Sequence, residues 1–223
     1  MDNLGRLLSI QLGMPQKRSM PPGVRVDSRD PTWTSGIFKK AVAGVVQVAA
    51  TGIDGDGQAD LENHGGPDNV LLAYDGGLYP MWRETLQRSD LAHGAFGENF
   101  TVQGFSDSTV CIGDTWQVGG AGGLVLQVTQ ARQPCFKLAR RLETPQIVKL
   151  VREQTNGGWY LRVLHDGPAQ AGMPIARIGR VHGDWPVSRA VEVMYTRAAN
   201  AEAARQLAAL PGLSTRWKQE LLE

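Results

Sequence analysis

The sequence has few cysteines, little net charge and no long apolar run, and each shortage excludes a class of protein. Two cysteines in 223 residues are too few for a disulfide framework, so we expect two free thiols in a reducing cytoplasm. They also cannot supply the four thiolates of a common iron–sulfur cluster. The net charge of +1 argues against a nucleic-acid or membrane-surface binder. No stretch of about 18 apolar residues is present to span a bilayer.

The rest of the composition is that of an ordinary globular protein. The chain is 42% hydrophobic and 20% charged, and its length suffices for a full core with a small appendix. The first residues, MDNLGRLLSIQLG, lack the basic leader and apolar core of a secretory signal, so we expect a cytoplasmic protein. The 27 glycines, about 12% against a usual ~7%, indicate many turns between short strands.

Short segments that are Val-rich, or that alternate apolar and polar residues, predict strands. These segments are GVVQVAA (44–50), ENFTVQG (98–104), GDTWQVG (113–119), LVLQVTQ (124–130), GWYLRVL (158–164) and PIARIGRV (174–181). Strands of this length with glycine-rich turns favour a barrel over a parallel α/β sheet. The intervening VGGAGGL (118–124) fits neither the dinucleotide-binding nor the P-loop pattern, and we predict a hairpin there.

Helical patterns interrupt the strands at 78–87 and at 144–155, where Thr144 is the expected cap and Pro145 the first-turn residue. Three further helices are predicted from Ser188 to the end of the chain. The fold class is therefore mainly β with helices (α+β). We predict a barrel-like domain over residues 1–186 and a three-helix module over residues 187–223, which is too small for a robust core alone.

The acidic stretch DGDGQADLENHGG (54–66) resembles a calcium loop but does not fit one. The sixth and twelfth positions would need Gly and Glu, and the sequence has Ala59 and Gly65. A turn-forming acidic loop is the better interpretation. His64, before a Gly-Gly-Pro turn, is either a ligand or proton donor or a partner of a backbone carbonyl.

Cys135 lies just after a predicted strand, and Arg132 and Lys137 flank it. Nearby cations favour the thiolate, which attacks electrophiles and binds soft metals. Cys111 adjoins apolar residues and no cation, which indicates a small buried hydrophobe. Glu98 and Asn99, on a glycine turn that opens a strand, either bind a polar ligand or satisfy backbone groups.

Six motifs resemble, in this order along the chain, the bacterial MOSC domain, named after the C-terminal domain of molybdenum cofactor sulfurase. They are TSGIFKKAVAG, GIDGDGQAD, HGGPDNVLLAY, FGENFTV, VCIGDTWQVG and LQVTQARQPCFKL. Within the family the pattern resembles the stand-alone YiiM-like proteins, which also carry a C-terminal three-helix module. The resemblance covers nearly the whole chain, and it implies a β-rich, barrel-like fold.

The resemblance also implies the molybdenum cofactor, molybdopterin with one Mo, and a reductase of N-hydroxylated compounds such as N-hydroxylated bases. The family's proposed metal ligand corresponds to Cys135. Expected roles for other residues are the cofactor's phosphate for Ser35, Lys39, Arg132 and Lys137, the pterin ring for Glu98 and Asn99, and substrate positioning or proton supply for His64 and Asp68.

The expected reduction needs two electrons, and the sequence shows no flavin or nicotinamide fingerprint. We therefore expect two kinds of partner, a small-molecule substrate and a separate electron-donor protein. The sequence is also compatible with an oligomer. Two alternatives stay open: a cysteine hydrolase or transferase with Cys135 as nucleophile and His64 as base, and a carrier of cofactor or of persulfide sulfur. The proline-containing segment 13–36 is either a wrap around the cofactor or a mobile surface loop.

Overall fold

The computed structural model describes residues 4–21, 23–24, 26–27, 29–60 and 65–223. It contains thirteen strands in these ranges. They are β1 (Leu4–Leu12), β2 (Gln16–Ser19), β3 (Thr32–Ser35), β4 (Lys40–Val42), β5 (Val46–Ala49), β6 (Gly52–Ile53), β7 (Leu71–Asp75), β8 (Phe100–Gln103), β9 (Thr115–Val118), β10 (Leu124–Ala131), β11 (Trp159–His165), β12 (Gly167–Ala169) and β13 (Pro174–Gly179).

Six α-helices in the same ranges are short. They are α1 (Tyr79–Thr85), α2 (Phe136–Leu142), α3 (Ile147–Gln154), α4 (Val187–Thr196), α5 (Ala201–Ala208) and α6 (Thr215–Leu222). A 3-10 turn at Gly76–Leu78 precedes α1. None of these helices is long and apolar enough to cross a membrane.

Seven strands close into a barrel in the order β1-β13-β9-β10-β11-β7-β8, with β8 returning to β1. Neighbours are antiparallel except β7 and β8. The predicted hairpin joins β9 to β10. The register of β10 against β11 shifts between Val128 and Gln130, and such a bulge redirects a strand. This bulge lies just before the segment that leads to Cys135.

The inward faces of the barrel strands and the C-terminal helices form one hydrophobic core. Leu126 and Val128 of β10 share this core with Met194 of α4, Leu207 of α5 and Trp217 of α6. The three helices therefore bury their apolar faces on the barrel. This shared burial explains how helices too few for a core of their own are stable in the chain.

A second hydrophobic cluster lies outside the barrel and supports the segment after β10. Tyr74 and Phe96 stack with ring centroids 4.6 Å apart, and Trp82 of α1 donates a hydrogen bond to the Tyr74 hydroxyl. Leu138 of α2 and Val151 of α3 complete the cluster. The helices α1 to α3 are thus packed together beside one end of the barrel.

The expected mainly-β barrel with a C-terminal helical module is confirmed, with two local corrections. Thr144 does not cap α3: the helix begins at Ile147, and the Thr144 hydroxyl donates to the Leu142 carbonyl. The sequence patterns also missed α2, which starts directly after Cys135. The boundary at residues 186 and 187 stays a prediction.

Candidate functional site

A cleft with about 630 Å³ of empty space opens beside the end of β10. Six of the sequence-predicted site residues line it: Ser35, Lys39, Asn99, Arg132, Cys135 and Lys137. These residues come from β3, the segment before β4, the residue that precedes β8, the segment between β10 and α2, and the first turn of α2. The structure therefore brings together side chains that lie up to about a hundred positions apart in the sequence.

Cys135 stands at the junction between β10 and α2. Its backbone is extended, with φ −120° and ψ 175°, and its carbonyl accepts the Leu138 amide as the helix begins. Pro134 before it favours such a break in regular structure. The thiol is free and half-buried. It is the sole thiol among the described residues that line the cleft.

Arg132 places a buried cation in the cleft. Its residue surface is 6% exposed, and its Nη2 donates to the Phe96 carbonyl at 3.3 Å. Its Nη1 is buried and has no hydrogen-bond partner in the described part of the chain. A buried donor without a partner is costly, so this guanidinium is suited to an anionic group bound in the cleft.

Lys39 is not a free cation, because it forms a buried ion pair with Asp56. The Asp56 carboxylate also accepts from the Asn99 side-chain amide at 2.8 Å and from the Gly13 amide at 2.9 Å. Burial lowers the pKa of Lys39, although the neighbouring carboxylate opposes this shift. Sequence reasoning treated Asp56 as an ordinary loop acid, since a pairing across 17 positions leaves no local pattern.

Asn99 lines the cleft with little unused hydrogen-bonding capacity. Its Oδ1 accepts from the Leu72 amide, and its Nδ2 donates to Gln11 and to Asp56. Its first task is therefore to join β1, β7 and the loop that holds Asp56. The cleft-lining residues that sequence reasoning missed include Gln58 and Tyr160. Gln58 lies within the GIDGDGQAD motif and Tyr160 lies outside the six motifs.

Glu98 does not line the cleft. Its Oε1 accepts from the Tyr79 hydroxyl at 2.5 Å, from the Gly94 amide at 2.6 Å and from the Thr101 hydroxyl at 2.9 Å. Burial, and then the Glu98 charge, raises the pKa of Tyr79, which keeps the phenol a donor. Glu98 thus satisfies buried groups through one oxygen, while its Oε2 is buried and has no hydrogen-bond partner in the described part of the chain. Its expected role at the pterin ring stays a prediction.

Asp68 also lies away from the cleft lining. Its Oδ1 is 3.0 Å from an Arg162 nitrogen, and its Oδ2 accepts from the Thr215 amide at 2.8 Å. Its carbonyl accepts from the Thr129 hydroxyl at the β10 bulge. Asp68 therefore ties the first turn of α6 to the barrel. His64 lies outside the described residues.

The segment 13–36 forms the β2–β3 hairpin and packs against α2 in its described part. Arg140 of α2 donates two hydrogen bonds to Asp27, at 2.7 and 3.0 Å. The hydrogen bonds from Arg140 lower the pKa of Asp27 to about 2. Arg29 lies 4.5 Å from the Phe136 ring centroid. The hairpin thereby forms a wall of the cleft through Ser35, whose hydroxyl accepts the Ile37 amide.

Gly36 and Gly57 let two backbone segments meet at the same wall. A Cβ added at Gly36 would overlap the Gly57 carbonyl oxygen, and one at Gly57 would lie 2.8 Å from Pro15 Cδ. Only residues without side chains allow this approach. The close contact brings the Asp56 loop and the β3 end together along the cleft.

Two family models match the chain: the MOSC domain over residues 60–176 and the YiiM-like, 3-alpha helix domain over residues 185–223. The chain is 35% identical to the Bacillus subtilis (strain 168) protein YflK over 97% of this chain and 93% of that one. It is 34% identical to a Gibberella moniliformis protein named "Reductase" over 80% of this chain, which corresponds to 32% of that longer protein.

A solved structure, YiiM from Geobacillus stearothermophilus, is similar over 98% of this chain and 100% of that chain. The TM-score is 0.77 at 31% sequence identity. The similarity therefore extends through the barrel and the C-terminal helices alike.

Proposed function

The chain belongs to the MOSC domain family, and on that premise we propose that it binds the molybdenum cofactor in the cleft and reduces N-hydroxylated compounds. The family is associated with this cofactor, and one of the relatives above is named a reductase. The observation that carries the proposal is a free, half-buried thiol beside a buried guanidinium donor without a partner. These are the groups that a soft metal and an anion need.

The residues present fit the cofactor. A pterin dithiolene would hold the metal, so the protein would need to add one soft sulfur, which Cys135 would supply. Arg132 Nη1 offers a dry, charge-assisted donor to the phosphate, with Lys137 and the Ser35 hydroxyl nearby in the lining. Lys39 contributes less than the sequence implied, because Asp56 already neutralises it.

When bound, the cofactor would supply two-electron redox chemistry for reduction of an N–O bond. The overall reaction takes up two electrons and two protons, breaks the N–O bond of the substrate, and yields an N–H group and water. Tyr160 replaces Asp68 as the residue that positions the substrate in this proposal. Burial raises the pKa of Tyr160, so its hydroxyl remains protonated and can donate a hydrogen bond to the substrate.

The electrons come from a separate donor protein in this proposal. The described residues contain no cluster of three or more His, Cys, Asp or Glu side chains that could hold a further metal centre. The sequence also has no flavin or nicotinamide fingerprint. A partner that docks near the cleft opening would deliver electrons one or two at a time.

The test is metal and pterin analysis of protein purified from a cofactor-replete host. We expect about one molybdenum and one pterin per chain in the wild type and loss of both in Cys135→Ser. Cys111→Ser is the matched control, because Cys111 is buried away from the cleft and its thiol donates to the Gly183 carbonyl. This control should keep its metal and pterin.

The same preparations are then assayed for reduction of an N-hydroxylated base with a chemical electron donor. Turnover by the wild type and by Cys111→Ser, with none by Cys135→Ser, is the expected result. Wild-type protein that lacks both metal and pterin would contradict cofactor binding. Full cofactor content without turnover would instead favour the carrier alternative.

A further inference from the structure

A second groove adjoins the cleft, and we propose that it is the substrate groove and selects N-hydroxylated bases that carry a phosphate. This inference rests on the proposed reduction. The groove has about 860 Å³ of empty space. It shares Cys135, Lys137 and Tyr160 with the cofactor cleft. A group bound at the Cys135 sulfur is therefore reachable from both sides.

The groove lies between the barrel and the C-terminal helices. Its walls come from Gln130 and Gln133 at the end of β10, from Arg152 at the end of α3, and from Arg216 and Trp217 in the first turn of α6. The Ser214 hydroxyl donates to Gln130 Oε1 and fixes α6 against β10. This wall is held in place, because the Ser214–Gln130 hydrogen bond is buried and Ser214 also caps the start of α6.

The groove's charges favour an anion. Lys137, Arg152 and Arg216 line it with one carboxylate, Asp60. Lys137 lies 3.9 Å from Asp60, and Arg216 forms an ion pair with Glu220 at 2.6 Å. Arg152 has no ion-pair partner in the described part of the chain; its guanidinium lies 5.1 Å from the Tyr195 ring centroid.

Arg152 is therefore the anion-binding residue that the groove offers. Its planar guanidinium, steadied on an aromatic ring, suits a bidentate contact with phosphate oxygens. Arg132 does not line this groove, so it stays available to the cofactor. In this proposal Arg132 binds the cofactor in the cleft and Arg152 binds the substrate's phosphate in the groove.

The groove also offers groups for a flat polar ring. The Gln133 amide has both donors and an acceptor, and the Tyr160 phenol donates. A nucleobase has a polar edge that such groups can recognise. Cys135 and Arg152 both line the groove, so a base at Cys135 with its phosphate on Arg152 defines the class of substrate as N-hydroxylated nucleotides.

Binding tests the groove without turnover. Cytidine 5′-monophosphate and cytidine are titrated into protein purified from a cofactor-replete host, by calorimetry at low salt. We expect the monophosphate to bind at least tenfold more tightly than the nucleoside, and Arg152→Gln to lose most of that difference. Lys149→Gln, which removes an exposed charge from the same helix, should keep it.

Turnover tests the link to the reaction. With a chemical electron donor, we expect N4-hydroxycytidine 5′-monophosphate to have a kcat/KM about tenfold above that of N4-hydroxycytidine. Arg152→Gln should bring the first value close to the second, whereas Lys149→Gln should keep the difference between them. Equal binding of monophosphate and nucleoside, or equal behaviour of Arg152→Gln and Lys149→Gln, would overturn the groove assignment. Failure to reduce either compound would overturn the reaction, while the binding difference still decides the groove.

Discussion

Asp107 is a buried carboxyl whose charged form is disfavoured by burial. Its residue surface is 5% exposed. Its Oδ1 accepts from the Gly158 amide at 2.8 Å, while its Oδ2 has no partner in the described part of the chain. Burial raises the pKa of Asp107 to about 7. A carboxyl that stays protonated near neutral pH is the consequence.

This shift predicts a pH dependence of stability. An unfolded aspartate has a pKa near 3.8, so between pH 4 and 7 the folded chain holds a proton that the unfolded chain releases. The free energy of unfolding therefore falls as pH rises through this window. Asp107→Asn removes the cost of burying the carboxylate charge. We expect the free energy of unfolding to rise by about 4 kcal/mol at pH 8 and to change little at pH 4.

Urea unfolding of wild type and Asp107→Asn at pH 4.5 and pH 8 measures the effect. Asp184→Asn, which changes an exposed carboxyl, serves as the control and should follow the wild type at both values. A loss of stability in Asp107→Asn that is the same at both pH values would show that the carboxyl is needed for packing rather than penalised for its charge.

At the scale of elements, the β2–β3 hairpin depends on polar contacts more than on apolar burial. All four residues of β2 are exposed, and the hairpin meets α2 through the Asp27–Arg140 pair and cation–π contacts such as Arg29 on Phe136. The arginine side chain is 2% exposed. Removal of its carboxylate partner leaves a nearly buried charge behind, which is more costly than loss of a surface pair.

Asp27→Asn should therefore loosen the hairpin and open one wall of the cleft. We expect a loss of about 2 kcal/mol and faster hydrogen exchange at the amides of β2 and β3. The wild-type contribution is present above pH 3.8 and is lost as pH falls towards 2, because the pKa of Asp27 is lowered. Asp90→Asn, which breaks an exposed pair with Arg88, should change stability by less than about 0.5 kcal/mol. Equal exchange rates in both variants would contradict the role of Asp27.

The elements also show how far sequence reasoning reached. The barrel strands β9, β10 and β11 were predictable, because half-buried strands alternate in sequence. The strand β2 is exposed along its whole length, and β3 has a single apolar residue, Trp33, so neither strand has an apolar alternation in its sequence. The helix α2 is seven residues long, so its buried apolar residues Leu138, Ala139 and Leu142 span too few turns for a recognisable helical period. The ordered motifs identified Cys135 and Arg132. The Lys39–Asp56 ion pair and the buried hydrogen bonds of the Glu98 side chain could not be predicted, because they depend on contacts between distant segments.

At the scale of the whole molecule, the barrel and the C-terminal helices share one core, although two separate family models match them. The Ser214–Gln130 and Asp68–Thr215 hydrogen bonds join the same parts at the groove. The helices therefore act as a wall of the proposed substrate groove only while the barrel is folded. This coupling predicts that both parts unfold together.

Met194→Ala tests that cooperativity. Met194 of α4 is fully buried in the shared core, and its truncation should cost about 2–5 kcal/mol. We expect the loss to appear as faster hydrogen exchange in the amides of β10 as well as in those of α4. Glu192→Ala removes an exposed side chain from the same helix and should leave both sets unchanged. Faster exchange confined to α4, α5 and α6 would show that the helical module unfolds independently of the barrel. The helical wall of the groove would then be movable rather than fixed.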